Sequence, residues 1–550
     1  MIRSATGRFA DAALTRALKL PAGSGFQVHP VTVPMRDGVE LRADHYAPAG
    51  PARGTLLVRS PYGRGIPLSL VFGRLYAARG YHVVVQSVRG TFGSGGVFEP
   101  MVSEVADGAD TVAWLRRQSW FTGSFGTIGL SYLGFTQWAL LVDPPPELAT
   151  AVIAVGPHDF RQSTWGTGAF ALNDFLGWSH LMANQERGGW LRAGVRQVTA
   201  RRQVTRAAAE LPLGAGGRRL LGTGAPWYES WVEHSETGDP FWERYRFDAA
   251  LEKATVPVLL LSGWQDLFLE QTMLQYRRLH KRGIDVALTL GPWNHTQMLT
   301  KGLGVVTRET LNWLDAHLAD VGAAPRPHPV RVYITGGPGW RGLPDWPPPT
   351  VSRSWYLQAG GGLAVTAPLR SDVADFCYDP ADPTPAVGGP LLSPEGGYRD
   401  DGALALRRDV VSFTSDPLAD DLWVFGNPAV ELEHRSDHPH VDLFVRVSQV
   451  DARGRSRNVS DGYRRLGDAT GRIRIQLDSV AHRFAAGSRI RVLVAGGCHP
   501  RFARNLGTGE PPVSGAQLRP AIHTVAIGAS RLLLPVDPAS AAPGSATVMR

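Results

Sequence analysis

The stretch Phe125-Gly-Thr-Ile-Gly-Leu-Ser131-Tyr-Leu-Gly134, continued by Phe135-Thr-Gln-Trp-Ala139, decides the fold. Its first half is a short apolar run suited to a buried strand, its second half is compatible with a helix, and Ser131 stands at the join. A serine on such a corner has its hydroxyl pushed out of the sheet, and the N–H groups that open the helix point at a developing oxyanion. Gly129 occupies the place where a bulky side chain would block the corner. The spacing is G-x-S-x-x-G: Leu133 stands where the second glycine of G-x-S-x-G belongs, and Gly134 comes one place later. Alone, this pattern also suits a serine in a plain strand-to-helix turn.

Outward from this corner, Thr55–Arg59 and His82–Gln86 read as strands, and Leu68–Arg79 and Val105–Arg117 have helical spacing. Strand and helix in alternation imply a largely parallel sheet covered on both faces. The rhythm resumes at Val256–Ser262 and Val286–Leu290. Between the two halves, about His158 to Phe247, strand-like runs stop and Trp, Ala, Arg and Leu dominate, which reads as a helical cap inserted over the sheet. After the proline-rich Asp345–Thr350, short alternating segments between Gly, Pro and Asp predict a β-sandwich, plausibly a jelly roll. There Ile473, Ile475, Leu477, Ile490, Val492 and Val494 share one face. The expected architecture is therefore an α/β-hydrolase domain over 1–157 and 248–345, a helical cap over 158–247 and a C-terminal β domain over 351–550.

A serine hydroxyl is a poor nucleophile until an imidazole takes its proton and a carboxylate fixes that imidazole's tautomer. On this fold the partners follow in the order Ser, acid, His, in loops after sheet strands. Asp266 follows the strand Val256–Ser262 within Gly263-Trp-Gln-Asp-Leu-Phe268, and His295 follows Val286–Leu290 within Gly291-Pro-Trp-Asn-His295. Singly, Asp266 also reads as a loop cap and His295 as one of 16 histidines. Together, in this order and at these strand ends, Ser131, Asp266 and His295 form a candidate triad.

The motifs Ser60-Pro-Tyr62, Val88-Arg-Gly90 with its Gly-rich turn and Phe98, Gly129-Leu-Ser-Tyr-Leu-Gly134, Gly263-Trp-Gln-Asp266 and Gly291-Pro-Trp-Asn-His295 resemble those of the CocE/NonD hydrolases, relatives of the X-Pro dipeptidyl-peptidases and α-amino-acid ester hydrolases. Asp375–Pro385 and Cys498–Gly509 resemble the C-terminal domain of that family. The resemblance implies Ser131 as nucleophile, Asp266 as orienting acid and His295 as general base. It also implies an oxyanion hole made by the Tyr62 phenol and the backbone N–H of Tyr132. Ser87 departs from the pattern, since an aspartate usually precedes the Arg-Gly pair, and this leaves the partner of Arg89 open. Relatives that accept a free α-amine carry a Glu-Asp pair two and three places after the acid; here Phe268 and Leu269 stand there. An ammonium would lack its partner, so an apolar acyl pocket is expected at Phe268, with the cap residues Trp165 and Trp178 matching family aromatics. Those tryptophans also read as ordinary cap packing.

Composition limits the alternatives. At 550 residues, with 43% hydrophobic and 19% charged, the chain has material for several packed domains. The net charge of +8 comes from arginines spread along the chain, with no basic block, so no nucleic-acid partner is expected. The densest run, Arg192, Arg196, Arg201, Arg202 and Arg206, reads as the wet face of a helix. Cys377 and Cys498 have no CxxC neighbour, and no zinc site, metal or other cofactor is expected; one long-range bridge between them stays open. With no apolar run of membrane-spanning length and a charged N-terminus, no membrane partner is expected and a cytoplasmic location is the working assumption. The expected activity is that of a serine carboxylic-ester hydrolase taking a small-molecule ester, with a homo-oligomer possible. The alternatives are an X-Pro peptidase or amidase, and a non-catalytic carbohydrate- or surface-binding protein.

Overall fold

Ten strands make one sheet: β1 (Phe26–Pro34), β2 (Glu40–Pro48), β3 (Gly54–Ser60), β4 (Tyr81–Ser87), β5 (Phe125–Leu130), β6 (Leu148–Ala154), β7 (Val258–Gln265), β8 (Val286–Asn294), β9 (Val330–Ile334) and β10 (Gly339–Leu343). The computed structural model describes residues 11, 13, 15–186, 190–236, 238–319, 326–467 and 471–541, with the backbone alone at 190–198 and 541. The strand order is β1-β2-β4-β3-β5-β6-β7-β8-β9-β10, parallel from β4 through β9 and antiparallel at both edges.

Successive side chains of a strand point to opposite faces, so a strand buried on both sides must be apolar at every position. Leu56, Val58, Val83, Val85, Leu259 and Leu261 enter one core, while Leu57, Val84, Val258 and Leu260 enter another. Helix Leu303–His317 covers the first face, through Leu311 and Leu314. Helices Glu104–Leu115, Tyr132–Leu140 and Leu269–Lys281 cover the second. The Leu68–Arg79 segment departs from the expected single helix: Ser69–Arg74 is a π-helical turn that runs into the short helix Leu75–Ala77.

Between β6 and β7 the described residues make helices and no strand, the helices including Leu172–Asn184, Trp190–Ala209, Leu213–Leu221 and Trp227–Glu233. The excursion is closed at its base, where Phe247 N–H donates to the His158 carbonyl at 2.8 Å. Arg201, Arg202 and Arg206 are exposed on their helix; the side chains of Arg192 and Arg196 lie outside the described residues.

From Val351 to Val536 twelve further strands form a β-sandwich. All six residues assigned to one face, Ile473, Ile475, Leu477, Ile490, Val492 and Val494, lie in its core. Cys377 and Cys498 are free thiols, the first exposed and the second buried. Among the described residues, no helix is long and apolar enough to cross a membrane.

The sandwich joins the α/β sheet through a short bridge in which Thr335 N–H donates to the Ala481 carbonyl and Arg483 N–H to the Thr335 carbonyl. His482 lies between them, with Nδ1 2.8 Å from Thr335 Oγ1 and Nε2 3.0 Å from Gln449 Oε1. Burial pushes its pKa down to about 3, aided by the nearby charges of Arg457 and Arg483. The folded protein therefore keeps His482 neutral, whereas the unfolded chain protonates it below about pH 6.5. Stability is lost as pH falls from 6.5 towards 3. Between pH 7 and 5 this residue contributes a loss of about 2 kcal/mol. Denaturant titrations at both pH values check this: His482→Gln should flatten that part of the pH dependence.

Candidate active site

Ser131 follows β5 directly and caps helix Tyr132–Leu140 with φ 58° and ψ −122°. A non-glycine residue in this region is strained, and only surrounding structure that leaves no alternative holds it there. Three contacts do so. Ser131 N–H donates to the Ala154 carbonyl of β6 at 2.9 Å. A Cβ on Gly129 would lie 2.5 Å from Leu133 Cβ, and one on Gly134 would lie 2.7 Å from Gly156 Cα. The displaced glycine thus has its own purpose, which is to let the helix pack closely on the β6 exit.

Asp266 and His295 leave the carboxyl ends of β7 and β8, both strands running farther than the apolar runs predict. His295 Nδ1 and Asp266 Oδ1 are 2.6 Å apart, and both residues are buried, at 5% and 2% exposed. Asp266 Oδ2 accepts from the Phe268 N–H at 3.0 Å and from Ser262 Oγ at 3.3 Å, so each carboxylate oxygen is engaged. Asn294 Oδ1 accepts from Gln297 N–H and Thr296 Oγ1, which folds the loop around His295. The Phe268 ring meets the imidazole edge-on at 5.4 Å.

Tyr62 lies just beyond β3. Its hydroxyl accepts from Trp178 Nε1 at 2.9 Å, and burial pushes the phenol's pKa up, so it is a neutral O–H. The Tyr132 side chain turns inward: its hydroxyl donates to Glu104 Oε1 at 2.8 Å and accepts from the Met101 N–H at 2.7 Å. Glu104 in turn pairs with Arg59 at 2.9 Å, both buried, and Arg59 Nε donates to Gln86 Oε1. Burial pushes the Glu104 carboxyl up while Arg59 pulls it down.

Of the aromatics expected around an acyl group, Phe268 touches His295, and Trp178 stacks on Tyr132 at 6.1 Å with an interplanar angle of 9°. Trp165 is spent differently. It packs on Phe170, and its Nε1 donates to the Trp231 carbonyl inside the cap. Arg89 finds partners despite Ser87, pairing with Asp107 at 2.6 Å and Asp37 at 2.7 Å, while Ser87 Oγ accepts from Arg64. Sequence reasoning missed Asp174, a buried carboxyl on the cap helix whose Oδ1 accepts from the Leu392 N–H at 2.8 Å. Burial pushes its pKa up against the pull of Arg501 and His295. The one available signal was an acid inside an apolar helical run.

A strained serine after a central strand, beside a neutral phenol, with a carboxylate-bound imidazole at the same edge of the sheet, defines the class as an α/β-hydrolase-fold serine hydrolase. Residues 37–297 match the model of X-Pro dipeptidyl-peptidase (S15 family), and residues 322–532 match that of the X-Pro dipeptidyl-peptidase C-terminal non-catalytic domain. Cocaine esterase of Rhodococcus sp. (strain MB1 Bresler) is 29% identical over 532 residues, covering 87% of this chain and 92% of that protein. An aminopeptidase from a marine-sediment Thaumarchaeota archaeon shares the fold with a TM-score of 0.80 at 24% identity, over 93% of this chain and 97% of that one. An α-amino acid ester hydrolase does so with 0.78 and 24%, over 94% and 97%. The chain is a homologue of cocaine esterase, with an S15-type catalytic domain and the matching C-terminal domain, and it is a hydrolase of the ester or peptide kind.

Removing one member of a buried ion pair leaves the other charge uncompensated, at about 3–5 kcal/mol. Glu104→Gln should therefore lower unfolding stability by about that much in urea titrations, and Arg59→Met on the same background should recover part of it.

Proposed function

We infer that the protein is a serine carboxylic-ester hydrolase that works through an acyl-enzyme on small esters with an apolar acyl group. The observation that carries this reading is the 2.6 Å contact of His295 Nδ1 with Asp266, at the sheet edge where strained Ser131 adjoins the Tyr62 hydroxyl. Ser131 Oγ attacks the ester carbonyl and its proton passes to His295 Nε2. The tetrahedral oxyanion takes hydrogen bonds from the Tyr62 O–H and the Tyr132 backbone N–H. Its collapse breaks the bond to the alcohol, which leaves with the proton held on His295. Water, deprotonated by His295, then attacks the acyl-enzyme, releasing the acid and restoring Ser131. Asp266 stays ionised throughout and stabilises the imidazolium. Phe268 against His295 and Trp178 against Tyr132 support an apolar, aromatic-lined acyl side. We read the protein as cytoplasmic, with a small-molecule substrate and neither nucleic-acid nor membrane partners.

One observation favours a second reading, a peptidase or amidase taking an amino-terminal acyl group. Asp174 is an acidic side chain buried in the cap, and paired with a substrate ammonium it would supply the carboxylate absent at positions 268 and 269. Assay of a p-nitrophenyl ester beside an Ala-Pro anilide separates the two, and the ester should be turned over faster.

Ser131→Ala should reduce kcat for p-nitrophenyl butyrate by about 10⁵–10⁶-fold and abolish labelling by a fluorophosphonate. Asp266→Asn, which presents the wrong imidazole tautomer to Ser131, should cost about 10⁴-fold in kcat. Unchanged turnover in Ser131→Ala would remove the mechanism, and a wild type that shows neither turnover nor labelling would favour a non-catalytic binding role.

A further inference from the structure

We propose that Trp178, on the cap helix Leu172–Asn184, is a positioning residue for the oxyanion hole, its indole N–H fixing the direction in which Tyr62 donates its proton. This rests on the reading of Tyr62 as an oxyanion donor and extends it to the cap.

An indole N–H can only donate, so in the 2.9 Å contact between Trp178 Nε1 and the Tyr62 hydroxyl the phenol oxygen is the acceptor. A phenol has one proton and its hydroxyl rotates to suit its neighbours. With the Trp178 side filled by a donor, that proton is turned away from the indole, towards the Ser131 side of the phenol. The carbonyl oxygen of an ester under attack by Ser131 arrives on that side. A hydroxyl that accepts a hydrogen bond also becomes a stronger donor, so the indole polarises the O–H as well as aiming it.

The indole has little freedom to leave this position. It is 7% exposed, lies parallel to Tyr132 at 6.1 Å, stacks on Trp231 at 6.0 Å and touches Trp227 at 6.2 Å. Its face therefore packs on Tyr132, whose backbone N–H is the second proposed donor, while its edge holds Tyr62. Two tethers fasten the end of the same helix to the catalytic loops. Gln185 Nε2 donates to the Pro61 carbonyl at 2.9 Å, next to Tyr62, and Glu186 Oε2 accepts from the Phe92 N–H at 3.0 Å. The cap thus completes the catalytic geometry as well as enclosing the acyl group.

A wall of the acyl pocket and a positioning donor make different predictions. p-Nitrophenyl acetate, whose acyl group is too small to need the wall, is the substrate. Trp178→Phe keeps a ring and removes the N–H; it should lower kcat about tenfold, the effect of one hydrogen bond, with KM within twofold. Tyr62→Phe should lower kcat about 100-fold. In the double variant, Trp178→Phe should cost no more than a further twofold, because the N–H acts only through the Tyr62 hydroxyl. A full tenfold loss on the Tyr62→Phe background, or a change confined to KM, overturns the proposal. An undiminished kcat in Tyr62→Phe overturns instead the reading of Tyr62 on which it stands. If Trp178→Phe does not fold, 3-benzothienylalanine at position 178 keeps the shape and lacks the donor. It should show the same kcat loss, and wild-type kcat there overturns the proposal.

Discussion

The backbone of Ser131 is the constraint from which the rest follows. At φ 58° and ψ −122° it turns the chain from β5 into a helix within one residue, a conformation that costs of order 1–3 kcal/mol and must be imposed from outside. The surroundings impose it by removing room. Gly129 lets Leu133 come close from one side, Gly134 and Gly156 bring the helix onto β6 from the other, and the Ala154 carbonyl holds the Ser131 amide. The return is that Oγ leaves the sheet at the edge where the long ends of β7 and β8 deliver Asp266 and His295.

That edge is supported from all three parts of the chain. Behind Tyr132 the Arg59–Glu104 pair fills the interior of the α/β domain. From the cap come Trp178 and the Gln185 tether. From the sandwich, Asn458 Nδ2 donates to Gln265 Oε1, one residue before Asp266, and the N–H of Ser479 donates to Glu270. Deeper in the sandwich Arg446 pairs with Asp461 at 2.7 Å, and Asp461 also binds Arg501, so two cations share one carboxylate beside the neighbouring acid Asp401. A buried ionic network of this kind is weak evidence of added stability and better evidence of a fixed arrangement, since its charges hold one another in place.

The legible part of the protein is the part encoded locally. A strand ending in Gly-x-Ser, and an Asp and a His each just beyond an apolar run, can be read along the chain because the parallel sheet sends every strand end to one edge. The parallel strands are legible for the same reason: burial on both faces makes them uninterrupted apolar runs. The antiparallel edge strands are not. β1 reads Phe-Gln-Val-His-Pro-Val-Thr-Val-Pro, is buried only at Phe26 and Val33, and carries prolines that a central strand would exclude. The same limit applies to the polar partners. Tyr62 reaches Trp178 across 116 residues, Asp174 reaches Leu392 across 218, and no spacing rule anticipates either. Trp165 and Trp178 look alike in sequence, yet one indole N–H ends on a backbone carbonyl in the cap and the other on the phenol beside Ser131.

Arg89 shows how distant partners hold a loop where the residue two places before it, Ser87, carries no charge. An arginine two residues after an aspartate can pair with it directly, and a serine there removes that charge. Here Arg89 makes a two-pronged contact with Asp107 on helix Glu104–Leu115 and a second contact with Asp37 in the β1–β2 turn. The bidentate geometry is the stronger form of this interaction, and Asp107 is almost wholly buried, so the guanidinium is held firmly. Arg89 precedes the turn that carries Phe98, whose ring lies edge-on to Trp227 and near Tyr132 and Trp178. The loop that closes one side of the aromatic cluster is therefore anchored to the sheet through a helix and a hairpin turn.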